Sequence, residues 1–213
     1  MGYLPLFLNL EGSCCLIVGG GNVALRKART LLEAGARVLV ISPQFDAGFG
    51  PLAHDYPQQL AIESRPYESP DLSGFQLIFA ATDQEAVNAR VSAEARRAGV
   101  WVNVADDPAR CTALAGAVLQ RGSLQIAVST GGECPALAAA IRDELSEAYS
   151  EWTGVYAAAL GHVRHALNAS CADSKKRTAI LRHLAGQGIR EGFHGLPLEE
   201  LKQRLAEEAE RMR

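Results

Sequence analysis

Apolar and polar positions change period several times along the chain. Cys14–Val18, Arg37–Ile41, Phe75–Ala81 and Val100–Val104 are short, nearly continuous apolar runs, the pattern of strands buried on both faces. Leu60–Arg65 alternates weakly, as a third strand would. A helical pattern follows the first run, and another covers Gln84–Ala98, with Val87 and Val91 on one face. Pro43–Pro57 reads as loop with one helical turn, and Asp71–Gly74 as a turn. Strands alternating with helices predict an α/β fold with a doubly wound parallel sheet.

The pattern changes after Pro108. Ala115–Gln120, a turn at Arg121–Gly122, and Leu124–Thr130 read as an antiparallel hairpin. Pro135 then opens a helix running to Tyr149, at a position where proline is favoured. From Glu151 the pattern is helical throughout, in segments Glu151–Asn168, Ser174–Gly186 and Pro197–Arg213, with breaks at Ala169–Asp173 and Gly186–Gly195. The last segment is highly charged with a narrow Leu stripe and reads as a solvated surface helix.

The first strand breaks into Gly19, Gly20 and Gly21 before its helix. Gly19, Gly21 and Ala24 form G-x-G-x-x-A in a strand–turn–helix context, the Rossmann-like dinucleotide fingerprint. Gly19 allows the turn, Gly21 lets a pyrophosphate approach the backbone, and Ala24 lets helix and strand pack closely. The first N–H groups of the helix lack intrahelical partners and face the anion. A ribose-binding acid is expected about twenty residues on. The second strand instead ends Val40–Ile41–Ser42–Pro43, and Asp46 comes late. NAD and NADP are therefore not separated by this criterion.

The 213 residues are 48% hydrophobic, enough for one core and a smaller second one. A net charge of −3 gives no basic field for nucleic acid. No run is long and apolar enough to span a bilayer. The N-terminus MGYLPLFLNLEGS lacks a signal peptide's basic region and cleavage site, and its apolar residues are expected to pack on the first strand. The five cysteines are odd in number and form no CxxC, so they read as reduced cytoplasmic thiols with no metal site.

Ligands of parallel sheets bind beyond the carboxyl ends of the strands. That places the glycine turn, Thr82–Asp83 and Asn103–Asp107 at the site. Asp106 is the candidate general base, taking a proton while hydride leaves to a nicotinamide. Asp107 is the better turn former. No Tyr and Lys stand four apart as a short-chain dehydrogenase requires, and His162 and His165 read as a solvated helix face.

Leu4–Phe7 (LPLF), Leu16–Val38 (LIVGGGNVALRKARTLLEAGARV), Ala80–Asp83 (AATD), Asn103–Pro108 (NVADDP) and Ala127–Leu145 (AVSTGGECPALAAAIRDEL) stand in order. Together they resemble the precorrin-2 dehydrogenase and sirohydrochlorin ferrochelatase family, which includes the N-terminal half of siroheme synthase. The resemblance implies NAD-dependent oxidation of precorrin-2 to sirohydrochlorin, with insertion of ferrous iron as a second activity of some members. It implies that Asn22, Val23, Pro43 and Gln44 contact NAD, and that the absent acid is a family trait. It makes Asp106 the base, also important for metal insertion, and puts Ser129 and Thr130 near the tetrapyrrole. Thr130 stands where some members carry a phosphorylated serine. The hairpin and following helix match a segment that builds an intertwined homodimer. The expected division is a NAD-binding domain at 1–112, a dimerisation segment at 113–149 and a helical domain at 150–213.

Ala113 and Gly116 depart from the family, which has a bulky apolar residue and a proline there. The resemblance covers only the half of the fused enzyme without the methyltransferase, so precorrin-2 is expected to come from a separate methyltransferase. Arg110, Arg121, Arg142 and Arg164 are candidates for the substrate carboxylates. The altered loop leaves an alternative, a non-catalytic NAD- or tetrapyrrole-binding sensor or carrier.

Overall fold

A computed structural model describes residues 2–69, 72–191 and 195–212. Five parallel strands form one sheet: β1 (Cys14–Val18), β2 (Arg37–Ser42), β3 (Leu60–Ser64), β4 (Leu77–Ala80) and β5 (Trp101–Val104), in the order β3-β2-β1-β4-β5. Helix α1 (Asn22–Glu33) joins β1 to β2, α2 (Phe49–Asp55) precedes β3, and α3 (Glu85–Ala98) joins β4 to β5. The chain winds one way from β1 to β3, then returns to the other side of β1. The direction therefore reverses between β1 and β4, where Val18 and Ala80 are register partners. Such a reversal opens a crevice at the carboxyl edge.

The continuous apolar runs exist because both faces are covered. Cys15, Ile17, Val38, Val40 and Phe79 pack with Ala24, Ala28, Leu31 and Leu32 of α1. Leu16, Val18, Ile41, Ile78, Ala80, Val102 and Val104 pack with Val91 and Ala95 of α3. Each large buried aliphatic side chain contributes about 1.5–3 kcal/mol against leaving it in water, so this double coverage dominates the unit's stability.

The chain divides into two compact units. One holds Met1–Ala115 and Gly131–Glu133; the other holds Gly116–Thr130 and Cys134–Arg213. In the second, β6 (Ala117–Arg121) and β7 (Leu124–Val128) form an antiparallel hairpin. It is followed by α4 (Pro135–Ala148), α5 (Glu151–Ser170), α6 (Ser174–Glu191) and α7 (Leu198–Arg211). Tyr156, Ala159, Val163, Leu167, Ile180, Leu184, Leu201, Leu205 and Ala209 make the helical core.

Several expectations change. β4 starts at Leu77, because Phe75 still closes the preceding turn, its N–H donating to the Leu72 carbonyl at 3.1 Å. Arg121 pairs with Leu124, so the hairpin turn is Gly122–Ser123, and the strands span Ala117–Arg121 and Leu124–Val128. The loop after β2 holds a two-turn helix, α2. Helix α6 runs through Gly186 to Glu191 rather than breaking there, and 192–194 of the expected break lie outside the described residues. Asp71 of the expected turn and Arg213 also lie outside them. The Leu stripe of α7 is not a solvated surface: Leu201 and Leu205 are fully buried, and only the charged face meets water. Tyr3, Leu4, Leu6, Phe7 and Leu8 are exposed and do not pack on β1; Leu10 is the first buried side chain.

Candidate functional site

The glycine turn sits at the carboxyl end of β1, where the Gly19 N–H donates to the Ile41 carbonyl at 2.9 Å. The three glycines have different surroundings. Gly19 has φ +122°, and a Cβ there would lie 2.2 Å from the Ala81 carbonyl oxygen. A Cβ on Gly20 would lie 2.0 Å from the Gln44 carbonyl oxygen and 2.9 Å from the Ser42 side chain. At Gly21 nothing lies within 4 Å. The turn is thus packed from below by Gly19 and Gly20 and open above at Gly21, which caps α1. A diphosphate fits this cradle, facing open backbone and the unpaired N–H groups of the first helical turn. Asn22 and Val23 are exposed in that first turn.

The end of β2 closes one side. Buried Ser42 donates its hydroxyl to the Gln44 carbonyl at 2.7 Å, leaving Pro43 and Gln44 exposed at the rim. Asp46 is occupied locally: its Oδ1 accepts the Gly48 N–H at 2.8 Å, and its own N–H donates to the Gly20 carbonyl at 2.7 Å. The late acid therefore ties the loop to the glycine turn.

The end of β4 closes the other side. The Thr82 hydroxyl donates within reach of Asn88 Oδ1 (2.7 Å) and the Gln84 carbonyl (3.1 Å), and the Asn88 Nδ2 donates back to the Thr82 carbonyl at 2.9 Å. Thr82 is thus a braced turn residue, and Asp83 beside it is exposed. Asn88 is buried and was not legible in the sequence, because a polar residue on the apolar face of α3 carries no periodic signal.

Beyond β5 the chain makes a loop. Asp106 has φ +59°, and among the described residues it is the one non-glycine with positive φ. Asp and Asn tolerate this region better than other L-residues. The Asp106 carboxylate is exposed and makes no hydrogen bond or ion pair with the described residues. Asp107 differs: it accepts the Arg110 N–H at 3.3 Å and pairs with the Arg110 guanidinium, which also reaches Glu85 at 3.1 Å. The two adjacent acids are therefore divided between a braced turn and a free carboxylate.

Among the arginines singled out, Arg110 is paired in this way, Arg121 bonds the Tyr149 carbonyl (3.0 Å) and Glu151 (3.1 Å), and Arg142 pairs with Asp143. Arg164 is exposed, as are His162 and His165. A cation the sequence did not single out stands in the first unit. Lys27 of α1 holds its Nζ 5.3 Å from the Phe79 ring centre, and burial lowers its ammonium below the ordinary lysine range. In the second unit Ser129 is exposed, and the Thr130 Oγ1 accepts the Cys134 N–H at 3.0 Å. Ala113 packs against the first core, and a Cβ on Gly116 would lie 2.6 Å from the Val128 carbonyl oxygen. No group of three or more His, Cys, Asp or Glu side chains among the described residues could hold a metal ion.

A doubly wound sheet with an anion cradle at its reversal point defines a dinucleotide-binding protein. Residues 6–117 match the family described as putative NAD(P)-binding, and the chain belongs to that family. Residues 121–148 match the model described as sirohaem biosynthesis protein central. The chain is 40% identical over 198 residues to a siroheme synthase of Pseudomonas putida (strain W619), covering 88% of this chain and 42% of that one. It is 39% identical over 209 residues to the siroheme synthase of Pseudomonas aeruginosa (strain UCBPP-PA14), covering 98% of this chain and 44% of that one. The chain thus spans about two fifths of the length of the curated relatives it matches. The solved structure of SirC, precorrin-2 dehydrogenase, superposes with a TM-score of 0.74 at 24% identity, covering 96% of this chain and all of that one, and shares the fold.

Proposed function

We propose that this chain oxidises precorrin-2 to sirohydrochlorin with NAD, in the cytoplasm. The observation that carries the reading is the free Asp106 carboxylate, held at positive φ on the carboxyl edge of the sheet that also bears the glycine cradle. The names of its relatives, siroheme synthase and precorrin-2 dehydrogenase, supply the substrate class.

Gly21 and the first turn of α1 hold the diphosphate, with Asn22, Val23, Pro43, Gln44, Thr82 and Asp83 around the rest of the dinucleotide. When bound, NAD supplies the hydride acceptor. Asp106 takes the proton that leaves the ring as the hydride departs; no covalent step is required. Lys27, with no carboxylate partner among the described residues, is a candidate for a substrate carboxylate, as are Ser129 and Thr130 for polar contacts to the ring's side chains. Ferrous iron, where inserted, is a second substrate. The hairpin and α4 carry exposed Val118 (48%), Leu137 (52%) and Ile141 (36%), which supports a homodimer built through 113–149, with 1–112 binding NAD and 150–213 as the helical domain.

Incubating the chain with precorrin-2 and NAD should give the sirohydrochlorin spectrum. Asp106→Asn, which suits the same backbone conformation, should lower kcat by about a hundredfold or more while NAD affinity stays within about twofold. Wild-type turnover in that variant removes Asp106 from the reaction. A folded, NAD-binding wild type that forms no product favours the sensor or carrier instead. Ferrous iron added to the same reaction tests chelation.

A further inference from the structure

The loop between β5 and the hairpin returns on itself. Its outgoing limb is anchored on α3: Ser92 Oγ donates to the Arg110 carbonyl at 2.7 Å, and Arg96 Nη2 donates to the carbonyls of Ala109 (3.3 Å) and Cys111 (3.2 Å). Thr112 and Ala113 then fold back on β5, both donating their N–H groups to the Val102 carbonyl, at 2.8 and 3.1 Å. Asp106 lies on the incoming limb, which has fewer anchors. The Ala105 N–H donates to the Ala80 carbonyl at 2.9 Å, and no side-chain bond fixes Asp106.

Across the loop the Asp107 N–H donates to the Val104 carbonyl at 3.4 Å and Asn103 Nδ2 to the Ala113 carbonyl at 3.0 Å, and the thiol of Cys111 adds a side-chain link between the two limbs. It is buried at 6% exposure, and its Sγ accepts the Val104 N–H at 3.1 Å. The Asn103 Nδ2 approaches the same sulfur at 3.7 Å. The single S–H proton faces two carbonyls, Val104 at 3.4 Å and Asp107 at 3.3 Å. The thiol therefore touches the residue before Ala105 and the residue after Asp106, bracketing the strained position. A nucleophilic role does not suit it, because burial pushes the thiol up and away from its thiolate form.

We infer that Cys111 is a positioning residue: its thiol, bonded to Val104 and Asp107, fixes the loop that presents the Asp106 carboxylate. The inference rests on the proposed reaction for its catalytic consequence, and the test separates the two. Amide hydrogen exchange should show the Val104 N–H exchanging about tenfold faster in Cys111→Ala, with the β1 amides unchanged. In the same variant kcat for precorrin-2 should fall about tenfold with KM for NAD unchanged. Cys111→Ser, which keeps a donor and an acceptor, should recover most of both. If the alanine variant does not fold, Cys111→Val fills the space without hydrogen bonds and takes its place. Unchanged Val104 exchange, or a serine variant as impaired as alanine or valine, overturns the inference. If the wild type does not turn over precorrin-2, the reaction is wrong, and the exchange comparison alone decides whether the thiol orders the loop.

Discussion

A methyl group added at Gly19 or Gly20 would collide with a backbone carbonyl oxygen, whereas one added at Gly21 would enter open space. The same substitution should therefore have opposite consequences one residue apart. Gly20→Ala should lower stability by about 2–4 kcal/mol, because backbone must move to admit the methyl. Gly21→Ala should leave thermal unfolding nearly unchanged and weaken NAD binding about tenfold or more, because the methyl occupies the diphosphate's approach. Unfolding curves and NAD titrations on both variants check this. A Gly21→Ala protein with full NAD affinity would show that the diphosphate lies elsewhere. At this scale the fingerprint was legible as a motif, but its division of labour was not. Sequence spacing assigned Gly19 and Gly21 and passed over Gly20, whose constraint comes from Gln44, distant in sequence and close in space. The roles of Ser42, Asn88 and Cys111 are not legible for a related reason. Each is a buried polar side chain that bonds loop backbone, and such a role leaves no periodic trace.

At the scale of elements, the parallel strands were legible because double-sided burial demands continuous apolar residues. The hairpin register was not, since its strands bury few side chains and a weakly buried face specifies register poorly. The continuation of α6 past Gly186 is not legible because Gly186 and Gly188 signal a break locally. Tertiary packing overrides that signal: a Cβ on Gly188 would lie 2.0 Å from the Tyr156 ring, whose hydroxyl donates to the Leu184 carbonyl at 2.6 Å. Alanine at an exposed helix position would gain about 1 kcal/mol over glycine. Gly188→Ala should instead destabilise by about 1–3 kcal/mol, because the Tyr156 ring must leave its site. Thermal unfolding measures the sign directly, and a stabilised variant would refute the packing explanation. The narrow Leu stripe of α7 teaches a similar lesson. Charge on most of a helix does not make it a surface helix when the remaining stripe closes a core.

For the whole molecule, the exposed apolar side chains of the second unit bear on assembly. Val118, Leu137 and Ile141 leave the hairpin and α4 with uncovered apolar area that a second copy would bury. Sedimentation should give a dimer for the wild type, and Leu137→Glu with Ile141→Glu should shift it to monomer, with loss of turnover if the site is shared between subunits. A wild-type monomer at micromolar concentration would exclude the arrangement. The order in which the chain visits its two units carries a separate consequence. It leaves the first at Ala115, returns for Gly131–Glu133, and leaves again. On that brief return Gly132, at φ +90°, passes so close to Pro108 that a Cβ would lie 2.7 Å from the proline ring. No single cut separates the units: a gene truncated after Ala115 loses the piece that covers Pro108, two residues from Asp106. A single crossover therefore cannot exchange the dinucleotide-binding unit for another, because its last three residues lie beyond the hairpin.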